Sequence, residues 1–410
     1  MYKDQSLSEL KEAVFRCVKC GMCRSICPVF QIEGAEASVA RGRLALIEEF
    51  TRDKLKAGDN LARVLSACIM CGRCQANCPN LVEVVKLIRS GRSELVRFMG
   101  MPLSRKLIME LFYPRKRLYF AFKLGSWLQK LLLRRIPKER GLRLRYPIPL
   151  LNREMAFPPI AREFFLPRYS STHIAPNEKM KVGFFVGCLI NFVLPEIGTS
   201  LLEVLTRNGV SVVVPAEQGC CGLPAFFSGM TELANRLNQK NLEAFQGLDI
   251  QVIVTACPTC GEALKEHYEL VNKNGKRIEV LDISQFLVRY KKLFSFPKFT
   301  DGILTYHDPC HLKHIQGVYQ EPRQLLKMIA DGRFVEMDEA DLCCGFGGLY
   351  SFFHNQTASA INKRKVRAIK ATGANLVVTG CPGCLIYLRQ GIEREKLPIK
   401  AKHLIEVLKG

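Results

Sequence analysis

The stretch GCCGLP, Gly219–Pro224, returns in altered form as LCCGFGG, Leu342–Gly348. Adjacent residues sit too close together for an ordinary disulfide, so two Cys-Cys-Gly corners call for another use of sulfur. Around the first corner stand Cys188 upstream and Cys257 and Cys260 downstream. Around the second stand Cys310, Cys381 and Cys384. The two sets read C-x31-CCG-x34-C-x2-C and C-x32-CCG-x35-C-x2-C. Cys188 to Cys310 is 122 positions, Cys220 to Cys343 is 123, and both Cys257 to Cys381 and Cys260 to Cys384 are 124. A repeat this regular implies two homologous domains.

Each repeated cysteine follows a short apolar run. KVGFFVG precedes Cys188, SVVVP precedes Cys220 and QVIVTA precedes Cys257; GILTYHDP, RFVEM and ANLVVTG take the same places before Cys310, Cys343 and Cys381. Helical patterns lie between these runs. Strand alternating with helix predicts a parallel α/β sheet, with the cysteines at the carboxyl ends of strands, where open α/β sheets place their sites.

The first hundred residues carry a second cysteine chemistry. CVKCGMCRSICP from Cys17 and CIMCGRCQANCP from Cys68 both read C-x2-C-x2-C-x3-C-P. This is the bacterial ferredoxin spacing, in which three close thiolates hold one 4Fe–4S cube and the fourth reaches the other cube. It predicts Cys17, Cys20, Cys23 and Cys78 on one cluster, and Cys68, Cys71, Cys74 and Cys27 on a second. Zinc would use four ligands and leave the third cysteine of each run without a role. LSELKEAVF, ARGRLALIEEF and LVEVVKLIRSGRSELVRF are apolar at three- and four-residue spacing, so this region reads as all-helical.

A chain of 410 residues with 48% hydrophobic content holds several domains at roughly 100–200 residues each. No uninterrupted apolar run reaches the length of a membrane span, and MYKDQSLSEL lacks the apolar core of a secretory signal. The expectation is a cytoplasmic protein, where eighteen cysteines mean metal rather than disulfides. The net charge of +22 is concentrated: Arg89 to Arg145 holds sixteen Lys or Arg against three Glu. Aromatics interleave with these charges, and no nucleic-acid-binding module accompanies them. A partner subunit, a membrane quinone-reactive subunit or the inner membrane surface is the expected contact of residues 89–145, with no nucleic acid. RYPIPLLNREMAFPPIAREFFLPRYS then reads as an extended connector, because proline interrupts both helix and sheet. The resulting division is 1–100, 101–178, 179–298 and 299–410.

The paired corners and their spacing resemble the cysteine-rich CCG domain of heterodisulfide reductases, glycolate oxidase iron–sulfur subunits, lactate-utilisation proteins and anaerobic glycerol-3-phosphate dehydrogenase. The resemblance covers the whole chain, and ARGRLALIEEF is most similar to the glycolate oxidase branch. It implies an α+β multidomain protein, with an all-α two-cluster ferredoxin domain followed by two α/β CCG domains. It further implies one or two noncubane 4Fe–4S clusters on Cys188, Cys220, Cys221, Cys257 and Cys260 and on Cys310, Cys343, Cys344, Cys381 and Cys384. The adjacent cysteines would bridge irons, with the following glycine supplying φ > 0. Zinc in one CCG domain, or thiols that are empty or redox-sensing, stay open as the alternatives. HDPCHLKH places His307, His311 and His314 near Cys310, and they read as hydrogen-bonded or solvated histidines at a helix start.

No flavin or nicotinamide fingerprint is present; GFGGLY lacks the last glycine of GxGxxG. The resemblance therefore implies an oxidoreductase subunit that takes electrons from an FAD-containing flavoprotein oxidising a glycolate- or D-lactate-type 2-hydroxy acid, and passes them to a quinone or another acceptor. A heterodisulfide-reductase-like subunit that cleaves a disulfide at a noncubane cluster is the alternative. Its own catalytic residues stay unassigned.

Overall fold

The computed structural model describes residues 1–135, 142–144 and 158–410. Residues 145–157 of the expected connector lie outside them. The N-terminal region is helical throughout. Ser6 and Glu9 form a reciprocal capping box that starts Leu7–Val14, and this helix packs with Ala40–Thr51 and Val84–Met99. Leu10, Leu44, Ile47, Leu65, Leu87 and Ile88 form the shared core. Gly91 lets Ile47 and Leu65 approach, since a Cβ there would stand 3.1 and 3.2 Å from their methyl carbons.

From residue 172 the chain builds two sheets. The first comprises β1 (Thr172–His173), β2 (Met180–Phe185), β3 (Val210–Val213), β4 (Val252–Thr255) and β5 (Glu279–Asp282), ordered β1-β3-β2-β4-β5. All neighbours are parallel except the short β1. The second comprises β6 (Leu304–His307), β7 (Leu376–Thr379) and β8 (Lys400–His403), parallel and ordered β8-β7-β6. β4, β6 and β7 are buried at every residue, as parallel strands covered on both faces must be.

RFVEM departs from the expected pattern. It forms one parallel bridge, Leu304 to Phe334, rather than a strand. Its counterpart β3 is held on its outer edge by β1, whereas residues 333–336 are mostly exposed and have no such neighbour among the described residues.

The repeats pack reciprocally. Helix Pro195–Arg207 of the first meets the final helix Leu404–Lys409 of the second, and Ile283–Arg289 of the first meets Gln320–Ala330 of the second. Arg207 donates to the Lys409 and Leu408 carbonyls at 2.9 and 3.0 Å. One apolar cluster runs through both sheets, from Val182 and Phe184 to Leu404 and Leu408. Side chains of this size each contribute about 1.5–3 kcal/mol when buried, so the shared cluster holds the two repeats together.

The basic segment divides in two. Arg89 and Arg92 belong to helix Val84–Met99 and work internally. Arg89 donates to the Lys3 carbonyl and to Asp4, while Arg92 donates to the carbonyls of Leu65, Ser66, Cys68 and Phe227. The charged surface proper begins with helices Leu103–Glu110 and Arg115–Leu132 and ends in an antiparallel pair, Leu133–Arg135 with Leu142–Leu144.

Candidate metal centres

None of the eighteen cysteines is in a disulfide, and the fold gathers them. The two ferredoxin-like loops take the same path: left-handed residues flank the middle cysteine in each, Lys19 and Gly21 at φ 56° and 91° around Cys20, Met70 and Gly72 at 60° and 70° around Cys71. Such paired turns direct backbone amides inward, which suits an anionic core. Cys27, Cys68, Cys71 and Cys74 line one small void together with Arg43 and Ile88, which is the crossed set expected from spacing. On the other side, Asn80 donates to the Arg16 carbonyl at 3.2 Å, bringing the loop after Cys78 beside Cys17. Cys20 is exposed, whereas Cys71 is 7% exposed.

The ten remaining thiols line a single cavity of about 450 Å³ between the two repeats and the helical region. Within each repeat they touch in the same order. Cys188 contacts Cys220, which adjoins Cys221, which contacts Cys260 and through it Cys257. Cys310, Cys343, Cys344, Cys384 and Cys381 repeat that chain, with Cys344 and Cys384 sulfurs 3.2 Å apart. Gly222 and Gly345 follow the pairs at φ +88° and +92°, the left-handed geometry expected of them. The corners are tied down from behind. Tyr2 and Tyr268 hydroxyls donate to the Cys221 carbonyl at 2.7 and 2.9 Å, Asn241 to that of Cys220 at 2.8 Å, and Asn362 to that of Cys344 at 3.0 Å.

Charge is distributed unevenly within each pair. Contacts from Cys220 and then Cys260 hold Cys221 down to about 6, and contacts from Cys343 and then Cys384 do the same for Cys344. Cys188 lowers Cys220, but contact with Cys221 and burial outweigh it and push Cys220 up; Cys343 behaves likewise against Cys310 and Cys344. For a thiolate in this largely apolar space a cation is the natural complement. Five clustered sulfurs per site, all buried except the half-buried Cys188, exceed tetrahedral zinc and fit an iron–sulfur core.

The helical region and the second repeat meet at these sulfurs. Ile69 and Cys71 pack with Cys310, Cys343 and Tyr350, and burial together with the nearby Cys343 and Cys310 pushes the Cys71 thiol up. The histidines divide. Burial opposes a proton on His311, yet the Glu262 carboxylate of the other repeat and Cys310 prevail and raise it to about 9. His314 lies 3.3 Å from the Asp341 carbonyl. These two fit the expected hydrogen-bonded role. His307 does not: it is buried, neither ring nitrogen makes a well-formed hydrogen bond although the Ala340 backbone lies beside the ring, and a ring nitrogen lies within 4.8 Å of the Cys344 and Cys384 sulfurs. The sequence alone favours a hydrogen-bonded or solvated histidine at a helix start, because burial is a property of packing.

Residues 13–82 match the 4Fe-4S dicluster domain, and residues 182–265 and 304–389 each match the cysteine-rich CCG domain. A Bacillus subtilis (strain 168) protein titled "Probable glycolate oxidase iron-sulfur subunit" is 31% identical over 98% of this chain and 96% of its own length. The chain belongs to this iron–sulfur subunit family. Another relative, an iron–sulfur protein of Methanococcus maripaludis, is 32% identical over 96% of this chain and 70% of its own length. Lactate utilization protein A of Halalkalibacterium halodurans is 31% identical over 56% of this chain and 96% of its own length. The iron–sulfur subunit is thus an oxidoreductase component that carries iron–sulfur clusters. Among the described residues, no helix is long and apolar enough to cross a membrane.

Proposed function

We propose that this chain is the electron-transfer subunit of a flavin-dependent 2-hydroxy-acid dehydrogenase of glycolate or D-lactate type, working with an FAD-containing flavoprotein and a quinone or other acceptor. The observation that carries the reading is the continuity of the thiol sets, from exposed Cys20 through buried Cys71 to Cys310, Cys343 and the shared cavity. The names of the Bacillus and Halalkalibacterium relatives supply the substrate class.

On this reading Cys17, Cys20, Cys23 and Cys78 hold one cubane 4Fe–4S cluster, Cys68, Cys71, Cys74 and Cys27 a second, and the two five-cysteine sets hold noncubane 4Fe–4S clusters. Clusters so held supply one-electron carriage. The chain's own part is to exclude water around Cys71 and the ten cavity thiols while leaving Cys20 open to a partner. Residues 1–100, 179–298 and 299–410 are the three cluster-bearing units, and 101–178 joins them.

The acceptor side lies at the membrane. Helix Arg115–Leu132 buries Leu118 and stacks Phe122 on Phe192 at 4.4 Å, so its inner face is already satisfied. Its outer face still exposes Phe120 (74%), Leu124 (56%), Trp127 (75%) and Leu131 (63%), spaced so that they share one side of the helix. Exposed Lys116, Arg117 and Lys123 flank this stripe, and no acidic residue occurs between Glu110 and Glu139. An apolar stripe edged by cations suits the surface of an anionic bilayer. The chain therefore sits in the cytoplasm against the inner membrane face.

Anaerobic purification of the native complex tests the whole reading. The expected result is a co-purifying flavoprotein with dehydrogenase activity toward a 2-hydroxy acid, whose electrons reduce this subunit. A complex without flavin rejects it.

A further inference from the structure

His307 ends β6 three positions before Cys310, and the equivalent position of the first repeat, three before Cys188 at the end of β2, is Phe185. Both side chains are completely buried, but they leave different demands. Phe185 is satisfied by apolar contact, stacked on Phe245 with ring centroids 5.9 Å apart. His307 brings two nitrogens into the same kind of position, and neither makes a well-formed hydrogen bond, the Ala340 backbone being the polar group beside the ring. Buried polar groups are nearly always paired, and one backbone oxygen can serve only one ring nitrogen, so the other is left for a partner that belongs to the site. A ring nitrogen and the sulfurs of Cys344 and Cys384 all lie within 4.8 Å of one another. Donors this close together could hold one metal atom, and imidazole joins thiolate on iron in other iron–sulfur centres.

We propose that His307 is a sixth protein donor of the second CCG site, binding iron through a ring nitrogen beside Cys344 and Cys384. The first site, with Phe185 in that place, is held by sulfur alone. The proposal rests on the reading that both CCG sites hold iron–sulfur clusters, and it makes them chemically unequal. Two sites that descend from one repeat then differ in donor set, which is one of the levers that sets a cluster's potential.

Pulsed electron paramagnetic resonance on the anaerobically reconstituted full chain decides it. The expected result is a strong nitrogen coupling on one CCG-site signal, which changes when the protein is grown with 15N-histidine. His307→Phe, which copies the residue of the first repeat, abolishes it while His311→Asn keeps it. Should His307→Phe fail to fold, the isotope experiment on the unaltered chain still decides whether histidine binds. A CCG-site signal with no nitrogen coupling, or only the weak coupling of a hydrogen bond, overturns the proposal and leaves the iron–sulfur reading intact. Zinc in the second site overturns it as well. Protein in which neither CCG site holds iron or acid-labile sulfide removes the reading beneath it.

Discussion

The Nε2 of His403, at the end of β8, lies 3.1 Å from the carbonyl oxygen of Ala256, the residue before Cys257 in the other repeat. The carbonyl can only accept, so Nε2 carries the proton, and Nδ1 accepts from the Ile405 amide at 3.3 Å. This neutral tautomer caps the final helix and ties the second repeat to the cysteine-bearing end of β4.

Burial lowers His403 from the ordinary value of 6.5 to about 4, which makes the tie sensitive to acid. The folded state needs the neutral ring, so its contribution is whole above about pH 6.5, shrinks as pH falls, and is lost on passing below about 4. The linkage is worth up to about 3 kcal/mol. In His403→Asn, the thermal midpoint of the anaerobic protein is expected to fall less steeply between those pH values than in the unaltered chain. Parallel slopes would show that His403 does not carry this dependence.

Gly345 supports the second corner by conformation and by space. At φ +92°, a Cβ would stand 2.5 Å from the Ala358 carbonyl oxygen, whereas at Gly219 nothing lies within 4 Å. Gly345→Ala is expected to cost about 2–4 kcal/mol and to displace Cys343 and Cys344, while Gly219→Ala costs less than about 1 kcal/mol. Iron content per chain and the thermal midpoint read both effects. Equal behaviour of the two variants would refute the account.

Much of this was legible because metal-ligand spacing is local. Cys17, Cys20 and Cys23 sit on one turn of chain, and KVGFF, VIVT and LVVT are continuous apolar runs of the kind only a doubly covered strand tolerates. What escaped depends on neighbours distant in sequence. RFVEM looks like SVVVP, but with no outer strand beside it among the described residues it forms only a bridge. Arg89 and Arg92 counted toward a basic surface, yet they spend their charge on Asp4 and on backbone carbonyls. His307 and Phe185 occupy equivalent places, and only packing reveals that one is satisfied and the other is not.

Crossed ligation makes an unequal prediction for two cysteines of one run. Cys27 lines the void with Cys68, Cys71 and Cys74 although it is only four positions from Cys23. Cys27→Ser is therefore expected to perturb the same cluster signal as Cys74→Ser, and Cys23→Ser the same signal as Cys78→Ser. Low-temperature paramagnetic resonance of the reduced protein distinguishes the two. If Cys27→Ser and Cys23→Ser altered one common signal, the assignment would be uncrossed and wrong.

Trp127 is the only tryptophan of the chain, and it stands in the middle of the exposed stripe of helix Arg115–Leu132. Its fluorescence therefore reports directly on whatever covers that face. Vesicles containing phosphatidylglycerol are expected to shift its emission to the blue and to sediment with the protein at low salt; phosphatidylcholine alone should do so far less, and added salt should weaken the effect. Leu124→Glu removes an apolar contact worth about 1.5–3 kcal/mol if fully buried and places a negative charge toward a negative surface. Partitioning should fall by about tenfold or more, with the cluster absorbance unchanged because Leu124 is 56% exposed and touches no thiol set. Emission that stays fixed in anionic vesicles would reject the membrane contact. Emission that shifts instead with protein concentration, and stops doing so in Leu124→Glu, would assign the stripe to a second copy of the chain.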